Sequence, residues 1–122
     1  MPKTILLVDD EPVARELTKR ILEEKGYDIA QAQDGQEALA ELGKKVPDLI
    51  LLDVQMPTMN GYTFMMEKAK TPAYVKIPVV VLTAHNEVEP LFRRHGVRGY
   101  LMKPLKSEEL LAKVQELLGP QP

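Results

Sequence analysis

Four stretches of the chain run out into residues able to do chemistry. Ile5-Leu6-Leu7-Val8 leads into Asp9-Asp10-Glu11, and Leu49-Ile50-Leu51-Leu52 leads into Asp53. Val79-Val80-Val81-Leu82 leads into Thr83-Ala84, and Gly99-Tyr100-Leu101-Met102 leads into Lys103-Pro104. Brought together, Asp9, Asp10 and Asp53 form a cluster of carboxylates that repel one another, and a bound cation is the usual resolution. All-oxygen ligands favour Mg²⁺, with Mn²⁺ as the alternative. Mg²⁺ typically keeps some waters and takes up phosphate oxygens. A carboxylate nucleophile beside such a cation suits formation of an acyl phosphate. Thr83 could then hydrogen-bond one phosphoryl oxygen and Lys103 could neutralise another.

Each of these residues also has an ordinary structural role open to it. An Asp after a strand is commonly a turn residue or a helix N-cap, and Asp10 stands where it could cap the first helix. Thr83 alone is a strand-end hydroxyl, and Lys103 alone is a surface lysine. Their joint placement after four separate strands is what points to a site.

The elements that would position them alternate in kind. Short, wholly apolar runs suit strands buried on both faces of a parallel sheet. Between them lie helical patterns. The segment 12–25 carries Val13, Leu17 and Ile21 at four-residue spacing, followed by Gly26 as a C-cap. A second strand is expected over 28–32, and a short helix over 36–42 closed by Gly43. A third helix is expected over 62–70, ending before Pro72. The last helix opens at Ser107, read as its N-cap, and carries Leu110, Leu111, Val114, Leu117 and Leu118 up to Gly119. The fourth helix falls on 87–95, where Pro90 makes it short or kinked. Strand and helix repeated five times predicts an α/β fold: one doubly wound (βα)5 domain with a five-stranded parallel sheet. A barrel needs eight such units. In an open sheet of this kind, ligands bind at the carboxyl ends of the strands, which is where the four clusters lie.

Composition bounds the function further. The 122 residues suit one domain, 44% are apolar and 28% charged, and the net charge is −2. That balance gives no general attraction to nucleic acid or to a membrane surface. With no cysteine, disulfides and thiolate metal sites are excluded. No apolar run approaches the roughly 20 residues of a membrane span, and the start shows no signal-peptide pattern, so a cytoplasmic location is expected. The expected domain is 1–118, with 119–122 a tail or the start of a linker.

On these residues the sequence resembles the response-regulator receiver family, with its CheY-like, flavodoxin-like fold. The motifs are Leu6-Leu7-Val8-Asp9-Asp10-Glu11, the run from Pro47 through Asp53 to Pro57, Asn60-Gly61, Pro78 to Ala84, and Tyr100-Leu101-Met102-Lys103-Pro104. The resemblance covers nearly the whole chain and implies strand order 2-1-3-4-5. It makes Asp53 the acceptor of a phosphoryl group from a histidine kinase or phosphotransfer protein. Asp10, Asp53 and the backbone carbonyl of Gln55 would bind Mg²⁺ directly, and Asp9 would do so through water. Lys103 would contact the phosphoryl group, and Lys103-Pro104 would be cis. Thr83 and Tyr100 would act as the switch pair, signalling to a protein target or a fused output domain. Gln55 and His85 occupy positions that tune phosphoryl lifetime in the family, and a water-facing loop histidine is the alternative for His85.

The stretch from Thr83 to Lys103 is slightly shorter than is usual in the family. The surface made by the fourth helix, fifth strand and fifth helix, which meets partners in the family, would carry Arg93, Arg94, His95 and Arg98, either as a solvated basic edge or as a face for an acidic partner. Met56, Met59, Met65 and Met66 read as pliable packing. A receiver-like module working without phosphorylation is the first rival, but such variants usually lose an acidic residue, the threonine or the lysine. An aspartyl-phosphate phosphatase is the second, and it needs an Asp two residues after the first, where this chain has Glu11.

Overall fold

The computed structural model describes residues 2–53, 61–83 and 97–119. Gln55, His85, the expected helix over 87–95 with Pro90, and Arg93, Arg94, His95, Met56 and Met59 lie outside the described residues. The chain alternates β1 (Thr4–Val8), α1 (Pro12–Glu23), β2 (Asp28–Ala32), α2 (Gly35–Lys44) and β3 (Leu49–Asp53). It continues with α3 (Gly61–Ala69), a single-turn α4 (Pro72–Val75), β4 (Val79–Thr83), β5 (Val97–Met102) and α5 (Ser107–Leu118). All strand pairs are parallel and the order is β2-β1-β3-β4-β5, as expected for the doubly wound sheet.

Side chains of a strand alternate between the two faces of a sheet. Leu6, Val8, Ile50, Leu52, Val79 and Val81 therefore pack on one side, against Ala38 and Leu42 of α2 and Phe64 and Met65 of α3. Ile5, Leu7, Leu49, Leu51, Val80 and Leu82 pack on the other, against Leu22 of α1 and Leu110 and Val114 of α5. The three central strands are buried from end to end, which is why they read as unbroken apolar runs.

Several local expectations need correction. The buried residues of α1 are Thr18 and Leu22, while Val13 is 68% and Leu17 57% exposed. Thr18 can face the core because its hydroxyl donates to the Ala14 carbonyl at 3.0 Å, which leaves the methyl as its outer surface. Gly43 does not close α2. The helix runs through it to Lys44, starting from Asp34, whose side chain accepts the Glu37 N–H at 2.9 Å. Glu37 in turn accepts the N–H of Gln33, the residue before the cap, at 3.0 Å, which ties the entering chain to the start of the helix. Ser107 is the first residue of α5 and not its cap, a position taken by Lys106 with no side-chain bond. α4 was not expected at all; Pro72, read as a stop, starts it, because proline's fixed φ suits the first turn. Gly26 and Gly119 do close α1 and α5, at φ +92° and +77°.

Candidate functional site

Asp53 and Thr83 are the last residues of β3 and β4, and Asp9 and Lys103 directly follow β1 and β5. The ladder continues past the assigned strands. The Asp9 N–H donates to the Ala32 carbonyl at 3.0 Å, and the Lys103 N–H donates to the Thr83 carbonyl at 2.9 Å. Strand alternation then sorts the side chains. Asp9 continues the series Ile5–Leu7, Asp53 the series Leu49–Leu51, and Lys103 follows Leu101, all on the face toward α1 and α5. Thr83 continues Val79–Val81 on the opposite face, where Tyr100 also packs, beside its ladder partner Val81.

The carboxylates meet as the sequence suggests. One ligand oxygen from each of Asp9, Asp10 and Asp53 lies within 4.8 Å of the others. Asp9 and Asp53 are buried, whereas Asp10 is exposed. Asp10 does not cap α1: Glu11 is the N-cap residue, and its own side chain makes no capping bond. The Asp9 carboxylate instead accepts the Glu11 N–H at 2.9 Å. Lys103 is the counter-ion of the cluster. Its Nζ lies 2.8 Å from Oδ2 of Asp53 and 3.8 Å from Oδ2 of Asp9.

The electrostatics follow from this crowding. Burial pushes the Asp9 carboxyl above its ordinary value, and the charges of Asp53 and Asp10 push the same way. The Glu11 N–H and the Lys103 ammonium oppose the shift without cancelling it. For Lys103, burial works against the ammonium, but the hydrogen bond and charge of Asp53, with Asp9 and Asp10, leave it above the usual lysine value. Among the described residues, three carboxylates face the Lys103 ammonium, which leaves surplus negative charge beside exposed Asp10. That donor set fits a hard divalent cation, and Asp9, Asp10 and Asp53 are the residues that would hold it.

Thr83, 2% exposed, sits at the end of the strand beside Asp53, and Tyr100 is half-buried. Lys103-Pro104 is cis. A groove of about 540 Å³ opens next to the carboxylates, lined in part by Asp9, Glu11, Leu17, Ile21, Lys103 and Leu105.

Residues 5–115 match the family described as the response regulator receiver domain. The chain belongs to that family. Among receiver-containing proteins, it is 38% identical over 120 residues to the DNA-binding dual master transcriptional regulator RpaA of Synechocystis sp., covering 97% of this chain and 49% of the relative. The chain spans about half the length of these curated relatives. The receiver fold is shared with chemotaxis protein CheY4 of Vibrio cholerae, at TM-score 0.91 and 33% identity, covering 97% of this chain and 100% of the other. It is shared too with the receiver domain of a Pseudomonas aeruginosa sensor histidine kinase, at TM-score 0.89 and 29% identity, over 98% and 99% of the two chains. That protein is described with a magnesium ion coordinated in its active site cleft.

Two contributors to the receiver site were not legible beforehand. The backbone N–H of Glu11 fixes the Asp9 carboxylate, and the guanidinium of Arg15 reaches the Asp9 backbone carbonyl at 2.7 Å. The first is a backbone group and carries no sequence signal. The second was one more charge among those flanking the Val13–Leu17–Ile21 stripe.

Proposed function

We propose that Asp53 is the phosphoacceptor of this receiver domain and that a phosphohistidine on a histidine kinase or phosphotransfer protein is the donor. The observation that carries the reading is the buried Asp53 carboxylate held 2.8 Å from Lys103 and within ligand reach of Asp9 and Asp10. An Asp53 oxygen attacks phosphorus, the P–N bond to the imidazole breaks, and the imidazole leaves with the bonding pair and takes up a proton. Asp9, Asp10 and Asp53 would hold Mg²⁺, or Mn²⁺, with the Gln55 carbonyl as a further ligand. The cation would supply charge neutralisation at the phosphoryl oxygens. Lys103 is released from Asp53 to meet a phosphoryl oxygen, and a charge-assisted bond of that kind gains in a partly buried site. Thr83 and Tyr100, on the opposite face of the sheet, are the switch pair that passes the change outward, and Gln55 and His85 tune its lifetime.

The donor reaches Asp53 from the side where the groove opens, and the exposed Leu17 and Val13 beside it suit an apolar partner surface. The output is a protein target or a fused domain; relatives of the chain are named as transcriptional regulators. The domain spans 1–118, acts in the cytoplasm and makes no direct contact with nucleic acid. Among the described residues, no helix is long and apolar enough to cross a membrane.

Incubation with MgCl₂ and acetyl phosphate, followed by intact-mass measurement, tests the assignment. Wild type gains one phosphoryl group and Asp53→Asn gains none. A gain that persists in Asp53→Asn overturns the acceptor. No gain in either protein favours a module that works without phosphorylation.

A further inference from the structure

We propose that Arg15 is a positioning residue for the acidic site, acting through the main chain of Asp9. This rests on reading Asp9, Asp10 and Asp53 as the cation site. Asp9 directly follows Val8, the last residue of β1 paired with β2, so beyond one further ladder bond the strand no longer dictates the path of the chain. Three bonds take over. The Asp9 N–H donates to the Ala32 carbonyl at 3.0 Å, the Arg15 Nη1 donates to the Asp9 carbonyl at 2.7 Å, and the Asp9 Oδ1 accepts the Glu11 N–H at 2.9 Å. Both ends of the residue and its carboxylate are thereby held.

Arg15 is itself anchored. Its Nε donates to Oε1 of Gln31 at 3.2 Å, and Gln31 lies on β2 next to Ala32. One planar guanidinium therefore spans α1, the end of β1 and the end of β2. A lysine could reach the carbonyl but could not make both bonds in fixed relative orientation. The bond to Asp9 is a cation on a neutral acceptor, so it is short and charge-assisted. Because it falls on the backbone, Arg15 neutralises no ligand charge directly. It sets where the Asp9 carboxylate stands relative to Asp10 and Asp53. Cation sites depend on such outer partners, whose loss typically lowers metal affinity about 10–100-fold.

The test uses Mg²⁺ alone, titrated by calorimetry into wild type, Arg15→Met, Arg15→Lys and a control, Leu22→Ala, which opens the core under α1 away from the site. Melting temperatures without Mg²⁺ are measured on the same samples. Arg15→Met is expected to weaken Mg²⁺ binding about tenfold, Arg15→Lys to recover part of that loss, and Leu22→Ala to lower the melting temperature while leaving Mg²⁺ affinity near wild type. Equal affinity in wild type and Arg15→Met overturns the inference. So does an affinity that simply follows melting temperature across all four proteins. If wild type shows no saturable Mg²⁺ binding, the cation reading itself fails and takes this inference with it.

Discussion

Lys103 Nζ lies 2.8 Å from Oδ2 of Asp53, a residue fifty positions earlier in the chain, and 3.8 Å from Oδ2 of Asp9. A single ammonium thus stands between two buried carboxylates. Its value is raised above that of an ordinary lysine, so the stabilisation it gives is complete below the ordinary value of 10.5 and is lost only as the pH rises through the raised one.

Lys103→Met removes that ammonium and leaves the carboxylates facing each other. Breaking a fully buried pair costs about 3–5 kcal/mol; with Lys103 30% exposed, the expected loss is about 1–3 kcal/mol. A divalent cation takes over the missing charge, so Mg²⁺ should raise the melting temperature of the variant more than that of wild type. Equal Mg²⁺ shifts in thermal denaturation would contradict this.

For Asp9, unlike Lys103, folding favours the neutral form. Burial raises its carboxyl above the ordinary 3.8, so the folded state binds its proton more tightly than the unfolded chain does. Its contribution to stability therefore falls as the pH rises through that raised window, and at neutral pH its charge opposes folding. Asp9→Asn should raise the melting temperature by a few degrees at pH 7 without Mg²⁺, and the gap should shrink at acid pH. A gap that stays constant from acid to neutral pH would rule out this electrostatic origin.

Lys68 is an interior lysine, 1% exposed, on the face of α3 that carries Phe64 and Met65; its Nζ donates to the Val75 carbonyl at 3.3 Å. Burial lowers its value below 10.5. The unfolded chain then holds the proton more tightly, so stability rises with pH through the window that ends at the ordinary value. Lys68→Met, which keeps the stem and removes the charge, should be neutral or stabilising by about 1–4 kcal/mol at pH 7. Urea denaturation of both proteins at pH 7 and in the alkaline range checks this, with the difference shrinking as the pH rises.

The hydroxyl of Tyr27 is buried and has no hydrogen-bond partner among the described residues. An unsatisfied buried hydroxyl costs about 1–3 kcal/mol, so Tyr27→Phe should stabilise the fold by about 1 kcal/mol with an unchanged denaturant slope. A destabilised variant would show that the hydroxyl has a partner in the folded chain.

The frame of this protein was largely legible before folding. The central strands are buried on both sides and so appear as apolar runs, and the parallel order follows from strict alternation with helices. Local chemistry misled in several places. The Val13–Leu17 stripe is exposed because Thr18 and Leu22 are the residues that α1 buries, and a threonine whose hydroxyl bonds back to its own helix reads as polar until the bond is seen. Gly43 lies within α2 because the Asp34–Glu37 cap and the continuing backbone bonds outweigh its weak helix propensity. Pro72 begins a turn of helix instead of only ending one.

By itself the amino-acid sequence determined which residues would be chemical and that each would stand at the end of a strand. Apolar periodicity is local, and the residue that ends a buried run is read directly from the chain. Only the tertiary structure decided which of them meet. Asp9, Asp53 and Lys103 share a face because the order β1-β3-β4-β5 and the register between strands bring their ends level, while Thr83 and Tyr100 fall on the other face. The same packing made Asp9 a reluctant anion, buried Lys68 and set Arg15 on the Asp9 carbonyl. These are contacts between residues on different elements, and the energy of a buried charge depends on those neighbours, which no window of sequence contains.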